Sequence, residues 1–394
     1  MTIRRLRSED FEERMALSQF AFQLRFSEIE MDNRRKKWKP DHNWGYFDED
    51  GRLLSAVTVL PFETWAQGRK IGMGGLAGVA TWPDARRQGC VRQLIVHSLE
   101  QMKTDGQMVS MLNPFSFAFY RKYGWEMTVE RKQYTLELYH LPKRTEAAGQ
   151  VKRIAAPDLS PLNTIYEAYA SRYSGMLVRT EEWWADKWLT KQGTWAVYEN
   201  ESGTPEGYLY YEVLNSKLTV LDWAFTTEAS RIALWSYIGN HDSMIREATI
   251  TVPIDDPLTF LLADPRIKQE IIPYFMSRIV DAETFVLQYA WAPGAAGEAV
   301  TLRLSDPYAS WNEGTFKLSW DAEGNGRLDR AETGGSADTG PVIATDIQGL
   351  TALLLGNRKA TFLLQVGRIE ADAEAVEMIE RRIPARTTHL SDFF

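Results

Sequence analysis

The sequence predicts a multidomain protein of mixed α/β and α+β architecture, and three observations carry that prediction. Residues 1–140 alternate strand-type and helix-type runs. Residues 150–280 repeat the same order weakly, and the remainder carries short strands separated by turns before two amphipathic helices. A chain of 394 residues is long enough for two to three domains, and 44% hydrophobic residues can fill their cores.

In the first segment Thr2–Leu6 reads as a strand, and Ser8 with Glu12 opens an amphipathic helix. Trp44–Phe47, the turn Asp48-Glu49-Asp50-Gly51 and Leu53–Leu60 form a hairpin signal, followed by the strand run Ile71–Trp82. After Pro83-Asp84, Val91, Leu94, Ile95, Leu99 and Met102 recur at helical spacing until Gly106. Met108–Leu112 reads as a buried strand, Phe115–Lys122 as a short helix closed by Gly124, and Gln133–Leu138 as the last strand.

The second segment echoes this order. Thr194–Glu199 and Gly207–Val213 repeat the hairpin, and Leu218–Phe225 with Glu228–Ile238 repeat the strand-to-helix step, which suggests a duplication. In the tail, Thr284–Tyr289, Ala299–Leu304 and Thr315–Trp320 read as strands, and Thr345–Leu355 and Ala371–Arg381 as helices. The expected domains are 1–147, 148–282 and 283–394.

Composition excludes several functions. With 45 basic and 53 acidic residues the net charge is −8, which argues against a nucleic-acid partner, because phosphate binding needs a basic surface. Cys90 is the single cysteine and the five histidines show no ligand spacing, so neither a disulfide framework nor a metal centre is expected. The first fifteen residues carry charges where a leader peptide has its apolar run, and no apolar run approaches membrane-spanning length. A cytoplasmic location is expected.

The chemistry concentrates between Gly75 and Trp125. A strand ends at Pro83-Asp84, and Arg86-Arg87-Gln88-Gly89-Cys90-Val91 leads straight into a helix. A helix start offers unpaired N–H groups and a positive dipole end to an anion. Gly89 admits close backbone approach, and Arg86 and Arg87 add charge. Two solvated arginines in an ordinary turn are the plain alternative. Cys90 reads as a packing residue rather than a nucleophile. Downstream stands Asn113-Pro114-Phe115-Ser116-Phe117-Ala118-Phe119-Tyr120-Arg121-Lys122-Tyr123-Gly124-Trp125.

Together these two segments resemble the signatures of the GCN5-related N-acetyltransferase (GNAT) superfamily, the diphosphate loop and the "FY-x-x-x-GF" segment. Val91 stands where most members have Gly or Ala. A catalytic domain, a degenerate second copy and a small C-terminal domain together resemble the Eis family over the whole chain. The resemblance implies tandem GNAT folds with a mixed central sheet flanked by helices, a sterol carrier protein-like C-terminal domain, acetyl-CoA as cosubstrate and a homo-hexamer. It implies that Tyr120 is the general acid and the terminal carboxylate of Phe394 the general base. Val79, Ala80 and Thr81 would pair with the pantetheine arm, and Asn113 would add a polar contact.

On the substrate side the resemblance implies aromatic residues over an acidic cleft, with Phe22, Phe26 and Trp38 as candidates and Asp392 as the nearest carboxylate. The expected substrate is a primary amine of a cationic small molecule, of aminoglycoside type. A peptide lysine is the alternative within the same chemistry, and a lipid-binding role for the C-terminal domain the alternative from another class. In the second copy, Thr227-Glu228-Ala229-Ser230-Arg231 lacks the glycine and places an acid where a diphosphate would sit, so one cofactor site per chain is expected.

Overall fold

The computed structural model describes residues 1–141, 148–190, 192–321, 323–331, 340–356 and 358–394. The expected boundary at 147/148 adjoins a segment outside the described residues. The first half contributes β1 (Thr2–Arg5), β2 (Asn43–Phe47), β3 (Leu53–Ala66), β4 (Arg69–Thr81), β5 (Val109–Leu112) and β6 (Glu126–Glu137). The second contributes β7 (Gln150–Ile154), β8 (Thr194–Glu199), β9 (Pro205–Leu214), β10 (Lys217–Phe225), β11 (Glu247–Val252) and β12 (Lys268–Ile279).

All twelve join one sheet in the order β1-β2-β3-β4-β5-β12-β6-β11-β10-β9-β8-β7. The two halves have exchanged strands. β12 lies between β5 and β6, pairing Met276 with Leu112 and Phe275 with Val129. β6 in turn pairs with β11 along Glu137↔Glu247 to Lys132↔Val252. β12 escapes recognition in the sequence because Pro273 interrupts it. The proline sits at a register shift, which is where a strand tolerates the loss of an N–H.

The third unit is a five-stranded sheet of β13 (Ala299–Ser305), β14 (Gly314–Trp320), β15 (Gly326–Arg330), β16 (Val342–Asp346) and β17 (Ile369–Ala371). The run expected as a strand at Thr284–Tyr289 is instead helix Ala282–Gln288. Asp281 caps its N-terminus, accepting from Thr284 N–H and Oγ1, and Phe285 and Val286 point inward with Tyr289. A fully buried pair, Arg278 of β12 with Asp306 at 2.7 Å, ties this unit to the large sheet. Arg278 also donates to the carbonyl of Tyr123 and packs where a Cβ on Gly124 (φ 96°) would collide. Gly124 is therefore required by the packing of Arg278 as well as by its own backbone angle.

Three cores cover the faces of β3–β5. Helix Cys90–Thr104 packs on one face with Val57, Val59, Leu76, Leu112 and Met276. Helix Phe11–Phe22 covers part of the other, and the third unit covers the face around Met73, Met111 and Phe275.

Candidate active site

β4 and β5 run parallel, yet they pair only at Met73↔Val109, Gly74↔Ser110 and Gly75↔Met111. Beyond Gly75, β4 continues to Thr81 with β3 on one side and no described strand on the other. A bulge between Ala56 and Thr58 and the left-handed Gly78 (φ 58°) bend β4 away from β5. The result is a wedge whose β4 edge carries the backbone groups of Val79 and its neighbours. Ala80 O already accepts from Ser55 Oγ (2.9 Å), and Thr81 Oγ1 shares a 2.8 Å hydrogen bond with Ser55 Oγ, so these two are braced by β3.

At the open end of β4 the chain enters helix Cys90–Thr104. Its N-cap, Gly89, has φ 84° and supplies no side-chain cap, and a Cβ there would meet nothing within 4 Å. Arg87 is also left-handed at φ 64°. Arg86 and Arg87 are exposed and have no ion-pair partner among the described residues. Gln88 is held locally, donating to Asp84 O at 2.8 Å. Cys90 is buried with its Sγ toward Ala85 O, and burial pushes its thiol pKa up, which suits packing. Val91 is half-buried against the same core.

Tyr120 and Phe394 flank the wedge from opposite faces. Ser116 caps the short helix Phe117–Arg121, accepting from Phe119 N–H, and Tyr120 points into the core that holds Leu76, Leu112 and Met276. Burial pushes the Tyr120 phenol well above its ordinary pKa, so it stays protonated at neutral pH. No described residue hydrogen-bonds its hydroxyl. Phe394 docks on the other face, 5.0 Å from the Phe62 ring and 4.9 Å from the Phe275 ring, directly against Gly75. Gly75 is the last β4 residue paired with β5, so Phe394 sits where the two strands part.

The tail leading to Phe394 is anchored by charge. Asp392 is buried and accepts from Arg179 Nε (3.1 Å), Trp183 Nε1 (2.8 Å), Trp188 Nε1 (3.0 Å) and Tyr166 Oη (3.3 Å). Its carbonyl accepts from Tyr274 Oη (2.8 Å), and Arg131 holds the carbonyl of Ser391 at 3.0 Å. Asp392, expected on the substrate side, is 1% exposed. A carboxylate saturated by four donors is a tether for the tail.

A cleft of about 570 Å³ opens on the Phe394 face, between helix Phe11–Phe22, helix Glu28–Lys36 and β3. Its inner wall is Thr58 and Leu60, which share a face of β3 with Phe62. Leu60, the last lining residue on β3, pairs directly with Gly75, against which the Phe394 ring packs. Of the three expected aromatics, Trp38 lines it, edge-on to Phe11 at 5.5 Å. Phe22 and Phe26 do not. Phe22 is 45% exposed at a helix end, and Phe26 lies under the Arg34 guanidinium at 3.7 Å. Asn113 donates to Tyr274 O (2.8 Å), which ties the end of β5 to β12.

The sequence reading missed Arg14, which lines this cleft while buried. Its signal was an arginine in phase with Phe11 and Met15 on the apolar stripe of the first helix. The lining of this cleft is not acidic: Arg14 and Arg34 face one carboxylate, Glu30, while Lys37 and Lys39 pair with Asp186 and Glu182 of the second half.

The second half repeats the wedge with its parts filled. β10 and β11 pair in parallel only from Lys217↔Glu247 to Thr219↔Thr249. Beyond that point His389 and Ser391 of the tail lie against Val220–Trp223 and Thr251, leaving a cavity of 70 Å³. Helix Glu228–Gly239 is capped by Thr227 and Ser230 in a reciprocal box, and Glu228 pairs with Arg231 at 2.5 Å.

Residues 2–128 and residues 175–279 each match the acetyltransferase (GNAT) domain family, and residues 282–391 match the sterol carrier protein domain family. The chain is 23% identical over 391 residues to a Streptomyces avermitilis protein named an uncharacterized N-acetyltransferase, covering 90% of this chain and 88% of that one. A solved structure of a probable N-acyltransferase from Enterococcus faecalis superposes with a TM-score of 0.89 at 28% identity, covering 100% of this chain and 99% of that one. Together with the wedge, these matches show that the chain belongs to the GNAT superfamily and is an acyltransferase. More particularly, its domain order is two GNAT domains followed by a sterol carrier protein domain. Eis1 from Mycobacterium abscessus has the same fold, with a TM-score of 0.82 at 19% identity over 100% of both chains.

Proposed function

We propose that the chain is an acetyl-CoA-dependent N-acetyltransferase acting on a primary amine of a small molecule, through one wedge per chain. Arg86, Arg87 and the uncapped N–H groups at Gly89, Cys90 and Val91 hold the diphosphate. The unpaired edge of β4 around Val79 aligns the pantetheine arm. The amine nitrogen attacks the thioester carbonyl, a C–N bond forms and the C–S bond breaks. The terminal carboxylate of Phe394 takes the amine proton and Tyr120 gives its phenolic proton to the departing sulfur.

The observation that carries this reading is the placement of Tyr120 and Phe394 on opposite faces of the same strand gap. Burial keeps the phenol neutral, so it retains the proton it would give to the departing sulfur. The residue that would carry the base docks its ring on Phe62 and Phe275, against Gly75. The polycationic aminoglycoside implied by the family resemblance suits the basic cleft poorly. A homo-hexamer belongs to the proposal on the strength of that resemblance.

The test is thiol release from acetyl-CoA with a panel of small amines. Deleting Phe394, or extending the chain beyond it, is expected to collapse turnover and leave acetyl-CoA affinity unchanged. Full activity in an extended protein would remove the terminus from the reaction.

A further inference from the structure

The charges in the 570 Å³ cleft are unbalanced in one direction. Arg14 is 3% exposed, and the guanidinium reaches only neutral acceptors: Ser18 Oγ, Thr58 Oγ1 at 3.3 Å and Gly78 O at 2.9 Å. No carboxylate among the described residues pairs with it, and its Nε has no acceptor. Burial without a counter-charge pulls its pKa down to about 10, yet leaves it charged at neutral pH. A buried cation of this kind is costly unless something negative completes it.

The neighbours repeat the pattern. Trp38 Nε1 is a buried donor with no acceptor. Arg34 stacks on Phe26 and has no ion-pair partner among the described residues. Lys37 and Lys39 are neutralised from the second half of the chain, by Asp186 and Glu182, each at 2.6 Å. Glu30 is occupied with the cap of its own helix, accepting from Ser27 N–H and Oγ at 2.8 Å. The cleft therefore holds surplus donors and surplus positive charge, and its basic residues would repel a polycation.

We infer that the acceptor amine carries an oxyanion, a carboxylate or a phosphate, on the same small molecule as its nucleophilic nitrogen, with Arg14 and Arg34 as the charge partners. This rests on the acetyl-transfer reading of the site. The register sets the molecule's span. Thr58, which meets Arg14, and Leu60, which pairs with Gly75 under Phe394, are consecutive residues of one strand face. That step is roughly 7 Å, so a small molecule is enough to reach both.

The experiment is calorimetric binding to the full chain, with coenzyme A present, of four acetylated probes. These are N-acetyl-β-alanine, its neutral amide, N-acetyl-O-phosphoethanolamine and N-acetylspermidine. The anionic probes are expected to bind at least tenfold tighter than the amide or the polyamine, and their ranking separates carboxylate from phosphate. Arg34→Gln, at an exposed position that the fold does not need, is expected to weaken anionic probes several-fold and leave the amide unchanged. Arg14→Gln is expected to remove the preference, with Arg14→Lys restoring part of it.

Equal affinity for neutral and anionic probes, no anionic binding, or no response to Arg34→Gln would overturn the inference. Thiol release with the matching free amines separates the two claims. Release with polyamines alone overturns the oxyanion site and leaves acetyl transfer standing. Binding of anions that depends on Arg14, with no release from any amine, does the reverse.

Discussion

Tyr120 and Tyr123 stand one helical turn apart, and their surroundings divide the labour between them. Tyr120 is enclosed by Phe115, Phe119 and Trp125 with no hydrogen-bond partner for its hydroxyl among the described residues. Tyr123 instead packs edge-on to Tyr308 of the C-terminal unit at 5.0 Å. Removing the phenolic oxygen of Tyr120 leaves that packing untouched, so Tyr120→Phe should fold and bind acetyl-CoA normally. Its turnover should fall ~10²–10⁴-fold, the range for losing a general acid. Tyr123→Phe should keep most activity, and thiol-release kinetics on both variants check the assignment. The turn at Arg86 and Gly89 and the short helix of Tyr120 were legible in the sequence because their spacing is local, while the role of Tyr120 came from the family resemblance. Arg14 and Asp392 were not legible. Their roles depend on partners far away in the chain, a bulge at Gly78 for one and Arg179 with two tryptophans for the other.

Among the elements, the C-terminal tail does the most with the fewest residues. It runs beside Ser174, bridging to it at Thr388, fills the wedge of the second half and delivers Phe394 to the first. Of the closing aromatics, Phe394 packs on Phe62 and Phe275 whereas Phe393 stays 58% exposed, and the buried ion pair that fixes the path was not legible in the sequence. His389 makes the docking sensitive to pH. It is buried, its Nδ1 has no partner, and burial beside Arg131 holds its pKa at about 3. An undocked tail would have a histidine pKa near the ordinary value of roughly 6.5. The undocked state therefore binds a proton that the docked state refuses, and docking weakens as pH falls from about 6.5 toward 3, by up to about 1.4 kcal/mol per unit. Carboxypeptidase digestion of the tail should accelerate over that window, and His389→Phe should flatten the dependence. A wild-type tail equally resistant at pH 4.5 and 7.5 would contradict the account.

At the scale of the whole molecule, the two GNAT halves are built as one sheet. β12 fills the space between β5 and β6, and Phe275, Met276 and Ile279 are fully buried there. A fragment of residues 1–141 loses all three and exposes both flanking strands, so it should not fold alone. Gel filtration and circular dichroism should show aggregated or unfolded material, with coexpression of residues 148–394 restoring a soluble complex. The duplication was visible in the sequence because each hairpin and strand-to-helix step is local. The exchange was not, because which strand fills a gap is decided by pairing across the chain, and Pro273 masks the strand concerned. The exchange leaves two wedges of different fates, one with an uncapped helix start and an open edge, the other capped by Thr227 and filled by the tail.

Calorimetric titration of acetyl-CoA tests that asymmetry, and with it the single working site, most directly. The wild-type chain should bind one equivalent. Gly89→Glu, whose side chain enters open space at the helix start at the cost of about 1–2 kcal/mol of backbone strain, should remain folded and bind none. Two equivalents in the wild type, or undiminished binding in folded Gly89→Glu, would contradict the account.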